Sequence, residues 1–273
     1  MAGASNPHRI VSLQPSVTLT LRELGKLHLL VACTKYCAAV CPEVKERNIP
    51  LVADSWTAQV DQIRQAQPDF VIASVPYQEK SLAEILKVGV PVLALAPKKL
   101  ADIYSDIGAM ARLVDAKEEG ASLVLRMQEQ IADIERRTAG LTRPRVFCEE
   151  WGKPLIASQP WVAELVTVAG GEFIAVPGAQ IDPATMVAEA PEVWIAAWCG
   201  AGDRVPLEKV VRARAWQELP AVQAGRVYCI RDEYLNTPAS TLVEGLRALA
   251  AAIHPEYFPQ VKGLRSMAST EYL

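Results

Sequence analysis

No stretch of this 273-residue chain carries a familiar catalytic loop. Gly-x-Ser-x-Gly, Gly-x-x-x-x-Gly-Lys, His-Glu-x-x-His and Gly-x-Gly-x-x-Gly are all missing from it. Their absence removes the nucleophile elbow, the phosphate loop, the zinc-peptidase helix and the dinucleotide fingerprint. Histidine is scarce: His8, His28 and His254 are the only three, and none stands beside a candidate nucleophile or in a metal-ligand spacing. No apolar run reaches the ~18 residues that would read as a membrane span. A large excess of charge of either sign is missing too. With 28 basic and 31 acidic side chains the net charge is −3, and the basic residues are scattered. Nothing in that balance points to nucleic acid or an anionic membrane as a partner. The first nine residues, Met1 to Arg9, contain no apolar signal core.

What is present is a globular composition, 51% hydrophobic and 22% charged, at a length that suits two domains better than one. A repeated punctuation supports two. Ala66-Gln67-Pro68-Asp69-Phe70-Val71-Ile72-Ala73 returns as Ala190-Pro191-Glu192-Val193-Trp194-Ile195-Ala196. Each time a helical stretch ends at Pro-acidic and turns into a short apolar strand. Arg9-Ile10-Val11-Ser12-Leu13 resembles Arg145-Val146-Phe147-Cys148-Glu149, and the segment from Gly89 resembles that from Gly225. Two copies of one strand-helix-strand plan predict two similar α/β lobes. Such lobes commonly place a ligand in the crevice between them, outside the carboxyl ends of the strands.

Strands are expected at 9–13, 29–32, 69–74, 90–95, 145–149, 192–197 and 226–230. Most are continuous apolar runs bounded by Pro, Gly or charge, as parallel strands covered on both faces require. Alternation with helices makes the fold class α/β, with mainly parallel central sheets. The first helix is expected to start with Ser16 as N-cap after Pro15 and to close at Gly25. The last should start at Thr237-Pro238, bury Leu242, Leu246, Leu249 and Ile253, and stop at Pro255. One helix is expected over 100–114 and a longer one over 116–139. The longer one has Val124, Met127, Ile131 and Ile134 as its apolar stripe, and Glu118, Glu119, Arg126, Glu129, Asp133 and Arg136 in water. The predicted organisation is therefore an N-terminal lobe over 1–115, a connecting helix over 116–139 and a C-terminal lobe over 140–273. Twenty-four helical residues span ~36 Å, a rod rather than a flexible linker, so the lobes should move little relative to each other.

The order of motifs resembles the helical-backbone substrate-binding proteins of bacterial ABC importers along nearly the whole chain. Arg9 to Ser16 looks like that family's opening strand and loop. Asp61 to Ile72 looks like its acidic-to-Pro-Asp strand entry, and Val88-Gly89-Val90-Pro91-Val92 like its Gly-apolar-Pro-Val strand. The Ala169-Gly170-Gly171-Glu172 turn is most similar to the cobalamin-binding members. The resemblance implies non-catalytic binding of a metal chelate, cobalamin or another corrinoid first, haem or a ferric siderophore as alternatives. The chelate would be cargo; no resident cofactor or metal is implied. It also implies an ABC permease as partner, a monomer, and a periplasmic or cell-surface location if a leader was removed. If Met1 is the native start, the expected location is the cytoplasm. The reading would then be a cytosolic corrinoid-handling protein or enzyme on the same scaffold.

By the same resemblance, Tyr36 matches a cleft tyrosine, Trp56 a cleft tryptophan and Trp151, allowing one inserted residue, a cleft phenylalanine. A further family tryptophan has no counterpart, because Pro177-Gly178-Ala179 stands in its place. The family also carries an acid seven positions before each repeated proline, which docks the lobe onto transporter arginines. Asp61 keeps it in the first lobe; the second has Ala184 there, with Asp182 as a stand-in. The family's Thr-Glu in the first helix is Thr18-Leu19 here.

Residue by residue, Trp56, Trp151 and Trp198 stand at strand ends, where the crevice of such sheets lies. With Tyr36 and Tyr234 they form the expected ligand site; the alternative for each is packing inside its own lobe. Trp194 and Trp216 are expected in the core. Cys33, Cys37 and Cys41 recur every fourth residue, but zinc sites use closer pairs with a second pair elsewhere, and Pro42 suggests a loop. Unpaired, partly buried cysteines are the expectation, with a Cys37 contact to the ligand or a Cys37–Cys41 disulfide left open. Cys148 and Cys229, inside strands, are expected as buried thiols. Glu149 and Glu150 are the best acidic pair for a polar ligand contact or general acid.

Overall fold

A computed structural model describes residues 8–76 and 79–268. The chain divides into two compact units, Met1–Arg126 and Met127–Leu273. The division falls inside the helix Lys117–Thr138.

Unit 1 has strands β1 (Ile10–Ser12), β2 (Leu30–Thr34), β3 (Leu51–Val52), β4 (Phe70–Ser74) and β5 (Val92–Leu95). They form a parallel sheet in the order β3-β2-β1-β4-β5. Unit 2 adds β6 (Arg145–Gly152), β7 (Leu155–Ala157), β8 (Glu172–Phe173), β9 (Val193–Ala196), β10 (Val227–Ile230) and β11 (Leu264–Ser266). Its path is β11-β10-β9-β6-β7, and β8 pairs with β6. The pairs of β6 with β8 and β9, and of β9 with β10, are parallel; β7 and β11 join antiparallel. The order β8-β6-β9-β10 thus repeats β2-β1-β4-β5, so the sequence repeat is a repeat of topology. Both units are doubly wound, with the winding reversing between β1 and β4 and again between β6 and β9.

The repeated punctuation has one physical job in both units. Asp69 accepts the backbone N–H of Arg9 at 3.0 Å and of His8 at 2.8 Å. Glu192 accepts that of Arg145 at 2.8 Å. Each acid thereby satisfies the amide that opens the central strand of its sheet. The residue before each proline, Gln67 or Ala190, turns through a left-handed φ of 48° or 45°. That sharp reversal lets a helix run straight into a strand.

Several local expectations differ from what forms. Gln14 is the N-cap of the helix Pro15–Glu23, with Pro15 in its first turn and Ser16 buried within. Proline with its preset φ is favoured at the first helical position, which moves the cap back two residues, from Ser16 to Gln14. The last long helix is Leu242–Ile253, capped at Thr241 rather than started at Thr237-Pro238; its four expected core residues are buried. In Lys117–Thr138 the buried stripe is Leu123, Met127, Ile131 and Ile134, and Val124 is half-buried. Leu123 lies four residues before Met127 and shares its face. The segment after Cys33 is a helix, Lys35–Val40, not a loop, because Thr34 caps it by accepting from the Cys37 amide at 3.2 Å. Strands β3, β7, β8 and β11 are two or three residues long and carry no periodic signal.

Each sheet buries apolar residues on both faces, Ile10 and Ile72 opposite Val11 and Val71 in unit 1, Val146 and Ile195 opposite Phe147 and Trp194 in unit 2. In unit 1, Val11, Leu13, Ala32, Ile63, Val71, Ala73 and Ile85 pack together. In unit 2, Phe147, Trp194, Trp216, Leu207 and Val227 do so, with Trp194 and Trp216 edge-to-face at 5.2 Å. Both tryptophans are in the core, as expected.

Candidate functional site

In unit 1 the strand-end aromatics stand in the open. Tyr36 is the second residue of the short helix Lys35–Val40 after β2 and is 41% exposed; Trp56, in the turn after β3, is 48% exposed. Asp54 shapes that turn by accepting the Trp56 and Thr57 amides, both at 3.0 Å. Asp61 is exposed in the first turn of the helix Val60–Gln65.

In unit 2, Trp151 and Trp198 come together on one cavity of about 1060 Å³. It lies at the carboxyl ends of β6 and β9, where the winding reverses and such sheets bind ligands. Trp151 reaches it through a bulge: the β6–β7 register slips between Glu149 and Trp151, so Glu150 is the extra residue. A bulge re-aims the following side chain, and Trp151 ends 43% exposed with its indole N–H on the Lys153 carbonyl at 2.9 Å. Trp198 lies flat against Gly152, where a Cβ would sit 2.3 Å from its ring. Arg214, Lys153, Cys199 and Asp182 also line the cavity.

Behind the cavity wall stands a polar cluster that joins β6, β9 and the end of the helix Leu207–Ala213. Glu149, fully buried, receives Arg214 Nη1 at 2.8 Å and Nη2 at 2.7 Å. It also accepts the indole N–H of Trp198 at 2.8 Å and of Trp194 at 3.1 Å. Burial pushes the Glu149 carboxyl up, and Arg214, then Trp198 and Trp194, pull it back. All four contacts come from N–H donors, which suits a carboxylate and leaves a carboxyl proton no acceptor. Arg214 further donates to the Gly152 carbonyl at 2.8 Å and sits 4.6 Å over the Trp216 ring. Glu150 is held apart, accepting from Gln159 at 2.7 Å, and burial pushes its carboxyl up. The two glutamates therefore do not form an acid pair facing the cavity. The bulge at Glu150 breaks the regular alternation of the strand there, and each acid is taken up by its own donors.

The other expected residues are placed separately. Tyr234, in the short helix Asp232–Leu235, packs within unit 2 against Gly263 and near Arg231, and is not part of the cavity lining. Asp182 is the N-cap of the helix Pro183–Glu189, accepting the Ala184 amide at 2.9 Å. All six cysteines are unpaired thiols, Cys33, Cys37 and Cys41 among the buried ones. A hydrogen bond with Cys37, together with burial, pushes the Cys33 thiol up. Arg214, 65 residues from Glu149, was not singled out by sequence reasoning. A lone arginine at a helix end carries no local signal of a distant acid.

Among the described residues, no group of three or more His, Cys, Asp or Glu is placed to hold a metal ion. No helix among them is long and apolar enough to cross a membrane. A cobalamin-binding protein of Halobacterium salinarum is 21% identical over 92% of this chain and 70% of its own length. An uncharacterised ABC transporter substrate-binding lipoprotein of Bacillus subtilis is 24% identical over 93% of this chain and 82% of its own. The crystal structure of a periplasmic heme-binding protein from Pseudomonas aeruginosa superposes with a TM-score of 0.80 at 18% identity, covering 95% and 98% of the two chains. That likeness is one of fold. A profile of the periplasmic binding protein family matches residues 10–234, which take in nearly all of both sheets, and the chain belongs to that family.

Proposed function

We propose that this protein is a non-catalytic receptor that binds a metal chelate, cobalamin or another corrinoid, for an ABC importer. The observation that carries the ligand class is the unit-2 cavity. It is wide, it is walled by the indoles of Trp151 and Trp198, and its one arginine is already paired with Glu149. Broad aromatic faces without a free guanidinium suit a large macrocycle better than an anionic siderophore, whose recognition calls for unpaired cations. The 21% identical cobalamin-binding protein supports the same reading, and the lipoprotein relative supports delivery to an importer. Tyr36, Trp56, Trp151, Trp198 and Tyr234 are the proposed ligand contacts; of these, Trp151 and Trp198 line the unit-2 cavity.

Haem is the second reading. It is favoured by the exposed Tyr36 phenol, a group able to serve as an axial ligand to iron, and by the heme-binding structural neighbour. Calorimetry and absorbance titration with cyanocobalamin, haemin and a ferric siderophore, each alone, separate the readings. Tight binding of cyanocobalamin is the expected result. Tight haemin binding with a tyrosinate band in the spectrum would replace it with the second reading. Binding of none of the three would remove both.

A further inference from the structure

A free guanidinium in the wall of an aromatic cavity makes that cavity a receptor for anions. Arg214 occupies such a wall but is not free. Both of its terminal nitrogens are taken by the two oxygens of Glu149 at 2.8 and 2.7 Å, and Nη2 also donates to the Gly152 carbonyl. The Arg214 side chain keeps 10% of its surface while that of Glu149 keeps none. The cation thus borders the cavity, and its counter-charge lies behind it. The remaining charges in the lining are Lys153 and Asp182, one of each sign.

We propose that Glu149 is a specificity-determining residue: it neutralises Arg214 from behind, so the cavity accepts uncharged ring faces and discriminates against anionic chelates. Glu149 acts through Arg214 and touches no ligand. The inference rests on the reading of this cavity as part of the ligand site. Its test therefore uses probes that do not depend on which chelate is natural.

The probes are 8-anilinonaphthalene-1-sulfonate, a flat aromatic anion, and N-phenyl-1-naphthylamine, the same ring system without the sulfonate. The ratio of their dissociation constants reads the charge preference of the cavity directly. Trp151→Ala should weaken both probes and so locate them. In Glu149→Gln, which keeps the shape and removes the charge, the ratio should move about tenfold or more toward the anion, the scale of one hydrogen bond to a charged group. An unmoved ratio in a folded Glu149→Gln protein, checked by near-ultraviolet circular dichroism, overturns the proposal.

Removing one partner of a buried pair can prevent folding, so a second variant carries the test independently. In the double variant Glu149→Gln/Arg214→Met, which removes both charges together, the ratio should stay within about twofold of wild type, because a pair already neutral attracts little. A loss of anion binding relative to the neutral probe in that double variant overturns the proposal whether or not Glu149→Gln alone folds. So does failure of both probes to bind the wild type. If the chelates bind while the ratio never moves, the receptor reading stands and the role of Glu149 falls. The opposite pattern removes only the receptor reading.

Discussion

Replacing Gly152 with alanine adds one methyl group where the structure has no room. The new Cβ would lie 2.3 Å from Cζ2, 2.6 Å from Cη2 and 2.7 Å from Cε2 of Trp198. Carbon atoms in good contact sit about 3.5–4.0 Å apart, so the ring must retreat by roughly 1 Å or more. That motion pulls its indole N–H off Glu149, which it now meets at 2.8 Å. Loss of a hydrogen bond to a charged group costs about 1.5–3 kcal/mol, and overpacking about 1–3 kcal/mol. Because the ring can rotate away in part, we expect about 2–4 kcal/mol in all. Backbone strain adds nothing, since Gly152 has no left-handed φ. Urea unfolding followed by tryptophan fluorescence is the assay, and it reports mainly unit 2, because five of the six tryptophans follow residue 126. In a Trp198→Leu background the same alanine should cost little, since the clashing ring is gone. A loss below about 0.5 kcal/mol, the size of an ordinary surface change, or an equal loss in both backgrounds, would refute the reasoning.

Trp56→Ala and Trp151→Ala should each weaken chelate binding at least about tenfold in calorimetry, as loss of an aromatic anchor does, and unchanged affinity in both would remove these residues from the site. In cells carrying the cognate permease, Asp61→Ala should reduce uptake more than Asp182→Ala, and Ala184→Glu should raise it, since facing charges steer encounter; uptake indifferent to all three would count against docking through these acids. Asp182→Ala should also lower stability by about 1 kcal/mol in thermal unfolding, because its carboxylate caps a helix. Burial, helped by the nearby Asp102, pushes the Asp106 carboxyl up to about 6 from 3.8. A raised folded value means that the native state pays for the ionised form above about pH 6 and is relieved as pH falls toward 4. Asp106→Asn should therefore stabilise the protein at pH 7–8 and give no gain below about pH 4. The shift is worth about 3 kcal/mol at face value, and partial solvent contact reduces the expected gain to about 1 kcal/mol; a pH-independent effect would refute the assignment.

The sequence by itself determined what is local or periodic. Continuous apolar runs marked β1, β2, β4, β5, β6, β9 and β10, because a strand buried on both faces must be apolar at every position. The Pro-acidic repeat marked two units, because the same acid has to satisfy the same strand-opening amide in each. Strand ends also mark Trp151 and Trp198, since the carboxyl ends of parallel strands are where such sheets open. The tertiary structure decided what depends on distant partners. The short strands β3, β7, β8 and β11 exist only because a neighbouring strand offers hydrogen bonds, and they left no pattern to read. Whether a strand-end aromatic faces water or its own unit depends on what packs beside it: Trp151 is turned outward by a bulge, and Tyr234 is held against Gly263. Glu149 reads in sequence as an acid beside a tryptophan. Only folding brings Arg214 across 65 residues of chain to neutralise it, because a charge that leaves water needs a partner and sequence distance does not limit where that partner comes from.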